Sequence, residues 1–239
     1  MTTWLITHPQ CLEHDTGPGH PESAGRLQAI LQALQHPTFE FVLREEAPRA
    51  SLEQLELAHD PAYIRSLLDA VPAEGAHHLD PDTRLSPSSG EAALRAAGAV
   101  CHGVDGVLSG KARRAFCAVR PPGHHAESDR AMGFCLFNNI AVGAGYAVAH
   151  YGLQRVAMVD FDVHHGNGTE QISRGRRGLY YFSTHQHPLF PGTGIPSAEA
   201  PENILNATLA DGDGSEAFRR AFNETILPRL DALQPELIL

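Results

Sequence analysis

Ionisable side chains are concentrated in one segment, Val159–Glu170, which reads VDFDVHHGNGTE and continues the apolar run RVAMV. Asp162 and His164 stand two positions apart, and on extended backbone that spacing points both side chains to one face. A carboxylate oxygen and an imidazole nitrogen on one face are donors that a zinc-type ion prefers. Gly166 and Gly168 allow sharp turning beside them. Ionisable groups this dense at the end of a buried strand indicate a metal site, whereas an isolated D-x-H pair indicates only a hydrogen-bonded polar cap.

A second pair, His124 and His125, follows a Pro-Pro-Gly turn in the segment PPGHHAE. Read alone, this pair is typical of two exposed loop histidines. The loop continues through GFC, an apolar turn that suits a pocket wall. A catalytic histidine needs a partner that fixes its tautomer, and Asp160 and Asn167 are polar groups beside the metal pair that can supply one each. One charged and one neutral partner would shift the pKa values of the two imidazoles differently, which suits acid–base catalysis on a metal-bound water.

Composition and the remaining motifs exclude several other classes. The net charge of −10 is unlike a nucleic-acid-binding footprint, and 15 histidines favour metal or proton chemistry. There is no G-x-S-x-G elbow and no P-loop, and the glycines of VGAGYA indicate helix packing rather than a dinucleotide loop. The four cysteines have no C-x-x-C spacing and predict reduced core thiols. With no signal peptide and no membrane-length apolar run, we expect a cytoplasmic protein with no membrane or direct nucleic-acid partner.

The elements that must position these residues alternate along the chain. Short apolar strands are predicted at the segments TWLITHP, FEFVL, AFCAV, RVAMVDFD, LYYFST and PELIL, with helices between most of them. This order predicts an α/β fold, a single domain over residues 1–239 with a mostly parallel sheet flanked by helices on both faces. Ligands of such sheets bind outside the carboxyl ends of the strands, where three long loops rich in His and Gly follow strand ends. The two histidine-bearing segments belong to these loops.

At these residues the sequence resembles the zinc-dependent histone deacetylase superfamily. The matching segments are RPPGHHAE, GFCLFNN, VDFDVHHGNGT and FSTHQHPLFPGTG, with HDTGPGHPES and LSPSSGEAALRAAGAV upstream. The Gly-Asn-Gly after the histidine pair is similar to the class II branch, which includes bacterial deacetylases and acetylpolyamine amidohydrolases. The resemblance covers nearly the whole chain and implies an arginase/deacetylase-like fold.

The resemblance also implies a role for each matching residue. It implies that Asp162 and His164 ligate one zinc ion, that His125 is the general base and acid oriented by Asn167, and that His124 is its neighbour bonded to Asp160. A structural potassium ion would be held by Asp160, Ser183, Thr184 and backbone oxygens of Asp162 and His164. The residues implied to contact substrate are Phe134, Phe190, Gly133, Asp82 and Ser88.

The implied activity is metal-assisted hydrolysis of an acetamide, with acetylated lysine in a peptide or protein, or an acetylated polyamine, as substrate. The family's third zinc ligand, an Asp in a GFDAH-like segment, and its oxyanion Tyr follow a strand that resembles PELIL, at which this sequence ends. We therefore expect residues 1–239 to form the catalytic domain without its C-terminal part, with weak or no activity alone.

Two alternatives remain open from the sequence. A non-catalytic protein that keeps an acyl-lysine pocket would bind an acetylated peptide without hydrolysing it. A ureohydrolase of arginase type would need a D-x-H-x-D pattern, but the residue four positions after Asp162 is Gly166, which argues against it. Zinc content and hydrolysis of an acetylated peptide distinguish the first alternative from an enzyme.

Overall fold

The structure is a computed structural model that describes residues 2–239, and its residues group into two compact units, one reaching to Gly143 and the other comprising Ala144–Leu239. The described strands are β1 Thr3–Thr7, β2 Val42–Glu46, β3 His77–His78, β4 Arg84–Leu85, β5 Arg114–Cys117, β6 Val156–Asp160, β7 Leu179–Gln186, β8 Ile204–Leu209 and β9 Leu237–Ile238. The described α-helices are α1 Gln10–Glu13, α2 Ala24–Ala33, α3 Leu52–Leu55, α4 Pro61–Asp69, α5 Ser89–Leu108, α6 Asn139–Tyr151, α7 Asn167–Ser173, α8 Ser215–Ala221 and α9 Leu227–Leu233. A 3₁₀ turn covers Pro37–Phe39, and a π-helical turn, Phe222–Ile226, joins α8 to α9.

The first unit contains a parallel sheet in the order β2-β1-β5. Alternate side chains of β1 leave opposite faces: Trp4 and Ile6 share one core cluster with Ala99 of α5, while Leu5 shares another with Leu27 of α2. Helices therefore cover both faces of this sheet, as predicted.

Close approach of α5 to the first sheet depends on glycine. A Cβ on Gly106 would lie 2.3 Å from Cζ3 of Trp4, so no larger residue fits against that ring without a shift. Small residues along one face of α5 thus set how near the helix lies to β1.

The second unit contains a parallel sheet in the order β8-β7-β6-β9. Its apolar strand β6 is paired on both sides and its first three residues are fully buried, which explains the continuous apolar run in the sequence. β6 ends at Asp160 and β7 at Gln186, so the polar segments that follow them leave the same edge of the sheet. The α/β class with parallel sheets is confirmed; the assignment of residues 1–239 to a single domain stays a prediction.

Element boundaries differ from the sequence expectation where pairing outweighs side-chain character. The strand predicted at FEFVL begins later, at Val42, because the register with β1 pairs Val42 with Thr3 and extends the strand through charged residues to Glu46. A turn that the sequence did not predict joins the antiparallel strands β3 and β4. Asp80 closes this turn, because its Oδ1 accepts the N–H of Thr83 at 2.6 Å. Within residues 2–239, no helix has the length and apolarity needed to cross a membrane.

Candidate active site

Two successive side-chain-to-backbone turns shape the segment after β6. The N–H of Asp162 donates to Oδ1 of Asp160 at 3.1 Å, and the N–H of His164 donates to Oδ1 of Asp162 at 2.8 Å. Asp162 and His164 therefore lie on a bend and not on extended backbone, which corrects the local geometry expected from the sequence. The bend still brings the two side chains together, with Nδ1 of His164 3.1 Å from Oδ1 of Asp162.

The donors on this bend suit a zinc-type ion. One carboxylate and one imidazole are adjacent, and their side chains are 51% and 37% exposed, so a metal can reach both. In the part of the chain that the structure describes, no three His, Cys, Asp or Glu side chains form a group able to hold a metal. Asp162 and His164 thus form a pair of candidate metal ligands.

The residues expected to bind potassium lie next to this bend. Ser183 of β7 is the register partner of Asp160, and Tyr181 donates its hydroxyl to Oδ2 of Asp160 at 3.3 Å. Burial raises the pKa of Tyr181, so its hydroxyl stays a donor. The Thr184 hydroxyl is buried without a hydrogen-bond partner, and a buried polar atom of this kind fits a site for a cation or water.

Phe190 is carried by the loop that follows β7, residues 187–194, hereafter the Phe190 loop. Its ring is 44% exposed and its centroid lies 6.3 Å from that of His164. Burial lowers the pKa of the nearby His185 to about 4, so this imidazole is neutral at pH 7.

Glu170 of α7 is a buried carboxylate in the same unit. Burial acts to raise its pKa, but hydrogen bonds from His165, Asn206 and Arg174 outweigh burial and lower the pKa to about 2. Glu170 is therefore ionised, and it is one of the residues that sequence reasoning missed.

The loop after β5 carries His124 and His125, whose ring centroids are 4.0 Å apart. His125 is buried, and Gly133 lies directly against it: with φ +56°, a Cβ on Gly133 would lie 2.4 Å from Cδ2 of His125. A glycine is required here both by the left-handed backbone and by the imidazole face. The predicted site residue Gly133 thus contacts a histidine of the first unit.

Groups distant in the sequence hold the His124–His125 loop in place. Nδ1 of His59 lies 2.9 Å from the carbonyl oxygen of Glu127, and its Nε2 accepts the N–H of Asn138 at 2.8 Å. Because the Glu127 carbonyl can only accept, Nδ1 of His59 carries the ring proton. The hydroxyl of Tyr63 donates to the carbonyl of Leu136. No local pattern identified His59 in the sequence.

Phe134 lies at the end of the same loop, with φ +69° and its N–H donated to Oγ1 of Thr83 at 3.2 Å. The His20 ring packs edge-on to Phe134 at 4.6 Å, and Nε2 of His20 is 3.3 Å from the carbonyl oxygen of Asp82. Phe134 and Asp82 are thus brought near one another through His20. Ser88 lies immediately before α5 and is half-buried, and its contact with substrate stays a prediction.

A buried ion pair supports the beginning of that loop. Nη2 of Arg120 donates to Oε2 of Glu22 at 2.7 Å and to the carbonyl of His14 at 3.1 Å, while Nη1 donates to the carbonyl of Cys11 at 2.9 Å. His14 also lies 2.8 Å from Oγ of Ser89. Glu22 and Arg120 lie in the segments HPES and RPPGHH, which were matched to the family from the sequence. Nothing in either segment indicated that the two residues pair.

Stability is expected to fall as the solution is acidified, because two buried histidines of the first unit stay neutral. Burial lowers the pKa of His14 and of His59 to about 4, against 6.5 in the unfolded chain. Below pH 6.5 the unfolded chain binds protons that the folded protein rejects, so the free energy of unfolding falls until about pH 4. Each group contributes up to about 1.4 kcal/mol per pH unit.

Urea unfolding at pH 7.5, 6.0 and 5.0 measures this slope. The change of the unfolding free energy with pH should be smaller for His59→Gln than for the parent, by up to about 1.4 kcal/mol per pH unit. His78→Ala, at an exposed position, should leave this slope unchanged. Equal stability of the parent at pH 7.5 and 5.0 would contradict the expectation.

Two expected pairings join residues of different units, Asp160 with His124 and Asn167 with His125, and both stay predictions. Asn167 begins α7 and is buried, and its N–H donates to the carbonyl of His165 at 2.9 Å.

Comparison with known proteins gives consistent matches. The family model for the histone deacetylase domain matches residues 20–239. A histone deacetylase-like amidohydrolase of Pseudomonas aeruginosa is 39% identical over 228 residues, which span 92% of this chain and 58% of that protein. An uncharacterized protein of Synechocystis is 39% identical over 240 residues, with 98% of this chain and 78% of that protein covered.

A solved structure agrees with these matches. The crystal structure of the HDA15 HD domain superposes with a TM-score of 0.92 and 30% sequence identity, covering 100% of this chain and 72% of that chain. The chain spans little more than half the length of the Pseudomonas relative. Because the domain match and the superposition both extend over most of its residues, the chain belongs to the histone deacetylase domain family.

Proposed function

We propose that this chain supplies the catalytic machinery of a metal-dependent amidohydrolase that removes acetyl groups from acetylated amines. The observation that carries the proposal is the convergence of Asp162 and His164 on one bend at the end of β6, within a chain of this family. A carboxylate and an imidazole held by two successive backbone turns are preorganised for a metal.

Asp162 and His164 would hold the zinc ion through the carboxylate and the imidazole. When bound, zinc would polarise the acetamide carbonyl and lower the pKa of the attacking water.

The remaining chemistry belongs to the histidine pair. His125 would take a proton from the attacking water and later donate it to the amine nitrogen, so that acetate and a free amine are released. Asn167 would orient its imidazole, and Asp160 would favour a proton on His124. The packing of Gly133 against the ring supports this role, because it restricts how His125 can turn.

Potassium would be held by Asp160, Ser183 and Thr184, with the backbone oxygens of Asp162 and His164. The unpartnered Thr184 hydroxyl supports this proposal.

The substrate would be an acetylated lysine side chain of a peptide or protein, or an acetylated polyamine. Phe134 and Phe190 would flank its methylene stem, and Asp82 and Ser88 would contact it from the rim. A net charge of −10 favours a substrate with further positive charge.

The test combines zinc content with hydrolysis of an acetyl-lysine peptide and an acetylated diamine by the purified chain supplied with zinc. His164→Ala should weaken zinc binding at least about 10-fold and abolish hydrolysis, because one of two identified ligands is lost. His78→Ala, which removes an exposed imidazole of the same unit as His125, should alter neither.

Three outcomes decide among the functions. Zinc bound equally by His164→Ala and the parent contradicts the assigned metal site. Tight binding of the acetylated peptide with full zinc and no hydrolysis indicates the non-catalytic alternative. Release of acetate by the parent, lost in His164→Ala, supports the hydrolase.

A further inference from the structure

Two buried histidines of the second unit contact neighbouring residues of the Phe190 loop. Nδ1 of His165 lies 2.8 Å from Oγ1 of Thr193, and Nε2 of His185 lies 3.1 Å from the carbonyl oxygen of Gly194. The two ring centroids are 4.7 Å apart. The rings therefore hold the end of the loop from one side, through one side chain and one backbone group.

The backbone of the loop is packed directly on both rings. Gly194 has φ +81°, and a Cβ there would lie 2.5 Å from Cδ2 of His165 and 2.6 Å from Nε2 of His185. Only glycine satisfies both the left-handed conformation and this approach. The contact is thus specific in geometry as well as in hydrogen bonding.

His165 is itself held by an anchored carboxylate. Its Nε2 lies 2.9 Å from Oε2 of Glu170, which also accepts a hydrogen bond from Nδ2 of Asn206 at 2.7 Å, while Arg174 contacts the other carboxylate oxygen. Because the carboxylate accepts, Nε2 of His165 carries a proton, and in the neutral ring Nδ1 accepts from the Thr193 hydroxyl. The tautomer that binds the loop is therefore set by Glu170.

We propose that His165, with Glu170 and Thr193, is a positioning clamp that holds Phe190 beside His164. His165 directly follows His164 in the chain, so the bend that presents the candidate metal ligand also fixes the loop that presents the aromatic ring. The positioning role rests on the proposed function, since Phe190 there contacts the methylene stem of the substrate. None of the three clamp residues is among the candidate metal ligands or the candidate base.

The test removes only the hydroxyl contact. Thr193→Val keeps the shape of the side chain, Thr193→Ser restores the hydroxyl, and Thr208→Val makes the same replacement at an exposed position of β8. Amide hydrogen exchange of residues 187–194 reports the loop directly. KM and kcat for an acetyl-lysine peptide report substrate contact.

Thr193→Val is expected to raise exchange in the loop and KM about 3- to 10-fold, with a smaller change in kcat, because the hydrogen bond between His165 and Thr193 is lost. Thr193→Ser and Thr208→Val should resemble the parent in both measurements. Unchanged exchange in Thr193→Val overturns the clamp. Faster exchange with unchanged KM overturns its positioning role.

Failure of the proposed function gives a different result. A parent chain that neither binds zinc through His164 nor hydrolyses an acetylated amine contradicts that function, and the positioning role with it, while the exchange data still decide whether the clamp exists. An active parent with unchanged exchange in Thr193→Val overturns the clamp alone.

Discussion

His125→Ala is expected to lower the rate of acetyl-lysine hydrolysis about 10²- to 10⁴-fold while KM changes little. A positioned general base and acid contributes this much to a reaction that needs proton transfer at both the water and the leaving amine. The ring is buried and packed against Gly133, so no other imidazole takes its place without displacing backbone. Steady-state kinetics with one acetylated peptide and full zinc loading measure the loss.

Folding must be separated from chemistry in this comparison. Thermal unfolding and zinc content of His125→Ala are measured beside activity, and His78→Ala serves as the matched control because its imidazole is exposed. A folded, zinc-loaded His125→Ala that retains more than a tenth of the parent kcat contradicts the assignment of His125 as the base.

Glu22→Gln is expected to destabilise the protein by about 3–5 kcal/mol, because it leaves the guanidinium of Arg120 buried without its counter-charge. Arg120 and Glu22 are 4% and 2% exposed, so water cannot replace the lost partner. The effect should also reach the histidine loop, which begins directly after Arg120. Urea unfolding at pH 7.5 measures the free energy.

The double variant Glu22→Leu with Arg120→Met is the informative partner of this experiment. It removes both charges and should be less destabilised than Glu22→Gln, although the carbonyls of Cys11 and His14 lose a donor. Glu216→Gln, in an exposed ion pair, should change stability by less than about 0.5 kcal/mol. A loss below about 1 kcal/mol in Glu22→Gln would show that the buried pair is dispensable.

Local features of the fold were accessible from the sequence because they depend on neighbours in the chain. The start of α3 follows from the capping box that Ser51 and Gln54 form, a pattern that involves only residues three positions apart. The continuous apolar run of β6 predicted a strand buried in a parallel sheet, and the register confirms it. The extent of β2 was not predictable, since pairing with β1 and not apolar character carries it to Glu46.

The candidate site also has features that the sequence predicted and features that it did not. Asp162 and His164 were named from their spacing and lie together, although through turns that Asp160 and Asp162 themselves cap. The pairing expected for His124 and His125 stays a prediction, and so do the substrate contacts of Ser88.

The sequence by itself determined the chemistry available to this protein: which residues can bind a metal or carry a proton, and, through its motifs, the family to which it belongs. The tertiary structure alone decided what holds those residues in place. Arg120 meets Glu22 across 98 positions and Asn138 meets His59 across 79. Such contacts arise from burial and hydrogen-bond satisfaction in the folded chain, and local periodicity carries no information about partners so far apart.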